Sequence, residues 1–357
     1  MKILVDATSL LLRSAGVKSY TWHWLRALQR VAEPGSVTAF PWMGLTPGLT
    51  HDRSVLNRWA TWARLGAVFG INRCCSWALD AACRGCDVFH GSNMVRVPPR
   101  RARLTATLHD LTCWLMPELH TAANIAADRY FAERILKRAD RLIAVSENTR
   151  QDAVRLLGID PDRIVTIHSG VDERFFTAAP IRRAKPYVLF LGTIEPRKNV
   201  DTLLDAWEQL PGDVRGEYDL VVAGPAGWKS GATMARLRSG GARYLGYVPE
   251  SEIPSLTAGA TVFVYMSLYE GFGFPVAQAM AAGVPVVTSS NSCLPEIAGD
   301  GALYADPRSP AEIGTALGRL LCDPARRVKL SAAGRARAGR YRWEDCARQS
   351  LELFQRL

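Results

Sequence analysis

Acidic side chains are scarce in the first third of this 357-residue sequence. Residues 1–109 hold five Asp and Glu against fourteen Lys and Arg, a local +9 out of a net +10 for the chain. Six of the ten Trp also fall there: Trp22, Trp24, Trp42, Trp59, Trp62 and Trp77. One face of the N-terminal part is expected to meet something anionic and partly apolar. No recognised nucleic-acid motif accompanies the charge, so nucleic acid is not the expected partner. Charge of either sign nearly vanishes between Glu252 and Glu296, where Glu270 is the single charged side chain in 43 residues. That stretch lacks an unbroken apolar run: Pro254, Pro275, Pro285, Pro295, Gly259, Gly271, Gly273 and Gly283 interrupt it. A bilayer needs about 20 uninterrupted apolar residues. The stretch reads as the packed centre of an α/β domain, not a span.

The start, Met1-Lys2-Ile3-Leu4-Val5-Asp6, has too short an apolar run for a signal peptide and reads as a buried strand. Eight Cys do not make a disulfide framework in a chain long enough to bury a core. Cys83-Arg84-Gly85-Cys86 is a lone C-x2-C, and Cys74-Cys75 upstream does not complete a zinc spacing. Free thiols, no metal and a cytoplasmic setting are the expectation. A Ser/His/Asp elbow and a phosphate loop ending in Gly-Lys-Ser/Thr are both missing. So is a three-glycine dinucleotide fingerprint.

Short β-branched runs alternate with amphipathic segments, which argues for parallel sheets covered by helices. Val17, Tyr20, Trp24, Leu28 and Val31 recur on one face of a first helix. Arg141–Val145 reads as a strand followed by Ser146 as an N-cap. A polar linker around Thr177-Ala178-Ala179-Pro180 precedes a second α/β unit. That unit opens with strand Tyr187–Leu191, and Asp219–Val222, Thr261–Tyr265 and Val284–Thr288 follow. Trp343, Ala347, Leu351 and Phe354 share a face of a last helix. The expected domains are 1–178, 182–340 and a terminal helix 341–357. Two such units leave a cleft, and ligands of open parallel sheets sit at the carboxyl ends of the strands.

Four positions could carry chemistry. After strand Tyr187–Leu191 comes Gly192-Thr193-Ile194-Glu195-Pro196-Arg197-Lys198-Asn199, a turn, two cations and a helix start that suit a diphosphate. A solvated loop with two surface cations is the competing reading. Glu270 follows strand Thr261–Tyr265 and precedes Gly271-Phe272-Gly273-Phe274-Pro275. A lone buried carboxylate must be hydrogen-bonded, to a ligand or as an N-cap. His109-Asp110 ends the apolar strand Leu104–Leu108, where a structural histidine is as reasonable as a functional one. Gly16, ahead of the first helix, could present its amide to a phosphate or simply serve a turn.

The run from Ser267 to Ala281, with Gly192–Asn199, His109-Asp110-Leu111, Val145-Ser146-Glu147 and Ser292-Cys293-Leu294-Pro295-Glu296, resembles the motif set of family-4 retaining glycosyltransferases. The order fits along almost the whole chain. The resemblance implies an α/β GT-B fold, with two Rossmann-like parallel-sheet domains facing across a cleft and the last helix crossing back. It further implies transfer of a sugar from a nucleotide diphosphate to an acceptor hydroxyl, retaining and metal-independent. The co-substrate is a GDP- or UDP-sugar, with GDP-mannose favoured, and no other cofactor is implied. The acceptor is a glycan or lipid-linked glycan of cell-surface polysaccharide.

By the same resemblance Arg197 and Lys198 grip the diphosphate, and Glu270 holds hydroxyls of the transferred sugar. Gly192, Thr193 and the amides of Gly271, Phe272, Gly273 and Phe274 line the donor. His109 lies beside the reacting sugar and Gly16 near the phosphates. The family's second Glu is Gln278 here, and its N-terminal Gly-Gly is Ala15-Gly16. Gln278 can still hydrogen-bond ribose, without charge assistance. A catalytically weak sugar-nucleotide-binding protein, or a related epimerase or phosphorylase, is the alternative. Residues 53–77 interleave Arg53, Arg58, Arg64 and Arg73 with Trp59, Trp62, Val68 and Phe69. This composition suits an anionic membrane surface on the inner face of the cytoplasmic membrane, or else an ordinary helix packed on its own domain.

Overall fold

The computed structural model describes residues 1–44, 48–181 and 183–357. Its chain forms two compact units, one of Met1–Gly170 with Arg342–Leu357 and one of Val171–Tyr341. The change of unit thus comes earlier than residue 178. The physical reason is local: the Val171 amide donates to the Tyr341 carbonyl at 2.9 Å and Arg335 donates to the Phe176 carbonyl at 2.6 Å. These bonds hold the helix Glu173–Thr177 in the second unit, with Phe175 buried. Arg182, where the sequence reading opens the second domain, lies outside the described residues.

The first unit is built on a six-stranded sheet. Its strands are β1 (Ile3–Asp6), β2 (Val37–Phe40), β3 (Val88–Gly91), β4 (Arg103–Leu108), β5 (Arg141–Ala144) and β6 (Ile164–Thr166). They pair in parallel in the order β2-β1-β3-β4-β5-β6. Every residue of β1 and β3 is buried, the pattern of strands covered on both faces. The helix Gly16–Val31 buries Tyr20, Trp24 and Leu28 of the predicted stripe. It packs against the terminal helix Trp343–Gln355, where Trp24 Nε1 donates to Ser350 Oγ at 3.0 Å. Tyr20 meets the Trp343 ring edge-on at 5.6 Å. The large rings explain why the last helix completes this unit.

The second sheet has the strands β7 (Tyr187–Leu191), β8 (Asp219–Ala223), β9 (Arg243–Gly246), β10 (Val262–Tyr265), β11 (Val286–Ser289) and β12 (Ala302–Ala305). They are again parallel, in the order β12-β11-β10-β7-β8-β9. The 43-residue stretch poor in charge supplies β10, β11 and the helix Phe274–Ala281, whose Val276, Ala277, Ala279, Met280 and Ala281 are buried. It is core, as its punctuation by Pro and Gly requires. Among the described residues no helix is long and apolar enough to cross a membrane. All eight cysteines are free thiols, with Cys74 and Cys75 sulfurs 3.6 Å apart.

The helix Arg58–Arg73 buries only Val68 and Ile71. Trp59, Trp62 and Phe69 point away from the core at 84%, 64% and 67% exposure, and Trp77 follows at 68%. Arg64 is occupied differently from its neighbours: it donates to the carbonyls of Pro41, Trp42 and Ala60. Arg53, Arg58 and Arg73 remain exposed.

Gly170 is the last residue before the change of unit, and a Cβ there would fall on the backbone of Trp343. Gly170→Ala should cost about 1–3 kcal/mol by overpacking. Gly16→Ala, where a Cβ meets nothing, should stay within about 0.5 kcal/mol. Urea unfolding followed by Trp fluorescence distinguishes the two; equal midpoints would mean that the Gly170 backbone moves aside freely.

Candidate active site

The second unit gathers its charged side chains at the carboxyl edge of β7, β10 and β11. After β7 the chain makes a 3-10 turn over Pro196–Lys198 and enters the helix Val200–Glu208 through Asn199, which is left-handed at φ 59°. Asn199 holds that bend by donating Nδ2 to the carbonyls of Met266, at 3.0 Å, and Pro307, at 2.6 Å. After β10 the loop Met266–Glu270 is stitched to the same turn. Leu268 N donates to the Arg197 carbonyl at 2.8 Å, and Ser267 Oγ to the same carbonyl at 3.2 Å. Ser289, at the end of β11, donates to the Ser267 carbonyl at 2.7 Å.

On this frame Lys198 Nζ lies 2.5 Å from Glu270 Oε1, and an Arg197 nitrogen lies 3.2 Å from the same oxygen. Tyr265 donates its hydroxyl to Glu270 Oε1 at 3.0 Å. The Lys198 ammonium also stands over the Tyr265 ring at 5.4 Å. Arg197 is anchored on its far side by Glu195 at 2.9 Å and by the Tyr269 carbonyl at 2.7 Å. None of the four charged side chains is more than 13% exposed. Burial pushes the Glu270 carboxyl up, yet Lys198 and Arg197 prevail and hold it at about 2. Burial and the Arg197 charge pull Lys198 below the ordinary lysine range, against the attraction of Glu270.

Glu270 is therefore not an N-cap. Gly273 takes that position for the helix Phe274–Ala281, at φ 83°, where a Cβ would also strike Leu294. Pro275 sits in the first turn as expected. Phe272 is buried and its ring lies 5.1 Å from that of Phe274. Gly192 continues β7, its amide donating to the Ala223 carbonyl at 2.9 Å; Thr193 follows, partly exposed. Gln278 is partly buried on the helix. The sequence reading missed Glu195, Tyr265 and Ser292, whose Oγ accepts from the Glu270 amide at 3.2 Å. Glu195 stood in the quoted motif, but nothing local marked it as the buried partner of Arg197.

Gly16 and His109 belong to the first unit. Gly16 opens the helix Gly16–Val31 with no side-chain cap on its N-terminus. His109 follows β4; its Nε2 is buried without a hydrogen-bond partner and its ring meets Tyr20 edge-on at 4.8 Å. One strand over, both ring nitrogens of His90 lie 2.9 Å from hydroxyls, of Thr105 and Thr107. Among the described residues no three His, Cys, Asp or Glu gather as a metal site.

The fold is that of glycosyltransferases of the GT-B type. A family model of glycosyl transferases group 1 matches residues 171–337, and one of glycosyltransferase family 4 matches residues 15–175. The chain is 34% identical to the O-antigen chain mannosyltransferase B of Escherichia coli, over 76% of this chain and 74% of that one. Among solved structures it resembles a sucrose-phosphate synthase from Thermosynechococcus elongatus, with TM-score 0.75, 20% identity and coverage of 99% and 98%. It also resembles Anabaena HepE in complex with UDP-glucose, with TM-score 0.73, 18% identity and full coverage of both chains. The protein belongs to the family-4 glycosyltransferases.

Burial holds the His90 pKa near 3 and that of His109 near 4, below the ordinary 6.5. The unfolded chain then takes up protons first as pH falls. Stability from this source is complete above about pH 6.5 and is lost as pH falls toward 4 and then 3. Between pH 7.5 and 5.5 the two rings should remove about 2–3 kcal/mol. Urea midpoints at the two pH values test this; a flat profile would mean that both imidazoles protonate in the folded state.

Proposed function

We propose that this protein transfers a hexose, mannose from GDP-mannose in the reading we favour, to a glycan or lipid-linked acceptor of cell-surface polysaccharide, with retention and without a metal. The observation that carries it is the buried contact of Lys198 and Arg197 with Glu270 at the sheet's carboxyl edge. Breaking the glycosidic bond leaves charge on the departing diphosphate. Two cations already fixed in a nearly dry site stabilise that charge without reorganising as it develops. The pair is proposed to suffice without a divalent ion. Glu270 can accept hydrogen bonds from sugar hydroxyls, and amides from Gly271 to Phe274 serve the sugar and phosphates. Gly192, Thr193 and Gln278 complete the donor contacts. His109 is proposed beside the reacting sugar, since its buried Nε2 offers an open hydrogen-bonding position. Gly16 presents an uncapped helix N-terminus suited to phosphate. Mannose is supported by the Escherichia coli relative, an O-antigen chain mannosyltransferase, while HepE was solved with UDP-glucose, so both nucleotides belong in the test.

Free nucleoside diphosphate should appear from GDP-mannose or UDP-glucose only when an acceptor glycan is added. In the same assay Glu270→Ala should abolish turnover. Lys198→Ala should weaken GDP or UDP binding by about 10- to 150-fold and leave nucleoside binding nearly unchanged, because the lost bond is to phosphate. Equal losses for nucleotide and nucleoside would remove Lys198 from the phosphate.

The acceptor reading extends to a peripheral position on the inner face of the cytoplasmic membrane. Trp59, Trp62 and Phe69 follow one face of the helix Arg58–Arg73 and are exposed, with Arg53, Arg58 and Arg73 also exposed. The apolar stripe and the local positive charge together match an anionic interface. Cations near such a leaflet contribute about 1 kcal/mol each. Sedimentation with phosphatidylglycerol vesicles should be strong at low salt and weak at high salt. It should fall further when Arg53 and Arg58 become Glu or when Trp59 and Trp62 become Ala. Protein left in the supernatant with anionic vesicles at low salt would make the acceptor a soluble glycan.

A further inference from the structure

The four buried charges of the site cancel: Glu195 and Glu270 against Arg197 and Lys198. An intact donor adds two negative charges to this neutral set, and the nucleoside diphosphate left after transfer up to about three. The two cations are not equally free to receive them. Arg197 is braced by Glu195 at 2.9 Å and by the Tyr269 carbonyl at 2.7 Å, and its contact with Glu270 is the longer one at 3.2 Å. Lys198 differs. Glu270 is the one carboxylate within ion-pair distance of its ammonium among the described residues, at 2.5 Å. The ammonium that should meet the phosphate is thus already neutralised by the carboxylate that should meet the sugar.

Resting on the functional reading above, we propose that Glu270 is an internal competitor of the diphosphate. Donor binding transfers Lys198 from Glu270 to phosphate, and product release returns it. A carboxylate released in a nearly dry site is costly unless new donors reach it. Sugar hydroxyls supply such donors; a bare nucleoside diphosphate does not. The exchange therefore favours the intact donor over the spent nucleotide. Once the sugar has left, Glu270 has lost its hydroxyl partners, reclaims Lys198 and promotes departure of the diphosphate. Tyr265, bonded to the same Oε1 at 3.0 Å, and Ser292, on the Glu270 amide at 3.2 Å, keep the carboxylate near its resting position throughout.

Calorimetry with GDP, UDP, GDP-mannose and UDP-glucose on the full chain tests this. Glu270→Gln removes the competing charge while keeping the shape. It should bind the nucleoside diphosphate about tenfold tighter than the wild type, as expected for one like charge lifted a few ångströms from phosphate. The preference for nucleotide sugar over nucleoside diphosphate should shrink by at least the same factor. Glu270→Asp keeps the charge but shortens its reach, and it should give a smaller gain in the same direction; it also serves if the Gln variant does not fold. Unchanged or weaker nucleotide binding in the variant that folds, with Lys198→Ala still losing affinity, overturns the competition and leaves the functional reading standing. A wild type that binds neither GDP nor UDP, or a Lys198→Ala variant that binds them as well as the wild type, overturns both.

Discussion

Four ionised side chains confined at one sheet edge set the terms for the rest of the second unit. Each would be prohibitive alone in that environment, and only the arrangement of two carboxylates among two cations makes burial tolerable. Glu270 stands 72 residues along the chain from Lys198, so the pairing exists only because β7 and β10 are neighbours in the sheet. The surrounding polar atoms serve that geometry. Asn199 fixes the turn carrying the cations, Ser267 and Leu268 bond the same Arg197 carbonyl, and Ser289 extends the stitching to β11. Removing one member of such a set typically costs about 3–5 kcal/mol, because a buried charge is left uncompensated. The loops are consequently held close to one geometry before any ligand arrives, the condition for electrostatic stabilisation of a developing charge.

The first unit solves a different problem with aromatic bulk. Tyr20 and Trp24 from the first long helix meet Trp343 and Phe354 from the last, and the rings of Trp24 and Phe354 also contact His90. Of the six tryptophans near the N-terminus, Trp24 is thus a core residue, whereas Trp59, Trp62 and Trp77 project outward. Composition alone treats these as one feature. Packing separates them by position on their helices, because Val68 and Ile71 occupy the inward face of Arg58–Arg73 and leave the indoles no room there.

What was legible in the sequence follows the same division between local and distant causes. The parallel α/β class, the first helix's apolar stripe and the Ser146 cap all rest on residues a few positions apart, and the Ser146 side chain does accept from the Thr149 amide. Glu270 stood out because an isolated charge in an apolar stretch needs a partner. Which partner it has was beyond local pattern, since strand order decides it. The strands β2, β3, β9 and β12 escaped notice, although at four residues each they are as long as β1, β5, β10 and β11, which were legible. The boundary near residue 178 was misplaced as well. The polar composition of Thr177–Pro180 is that of a linker, while the bonds joining Val171 to Tyr341 span almost half the chain. Arg64 shows the limit from the other side: it looks like its exposed arginine neighbours and instead ties three carbonyls.

The departures at Ala15 and Gln278 take on meaning against the neutral set of charges. A second carboxylate at position 278 would add an anion to a unit whose site already carries as many acids as bases, and the donor proposed for it is itself anionic. An amide there keeps both a donor and an acceptor for hydroxyl groups while adding no repulsion toward phosphate. In the proposed reading, affinity for the charged part of the donor then rests on Arg197 and Lys198 with the backbone amides, and selectivity for its neutral part on Glu270 and Gln278. Ala15 costs little for a different reason. The helix it precedes begins with Gly16, where an added Cβ would meet nothing, and no side chain caps its N-terminus. In the proposed reading, charge is withheld where the donor is neutral and backbone is offered where it is anionic.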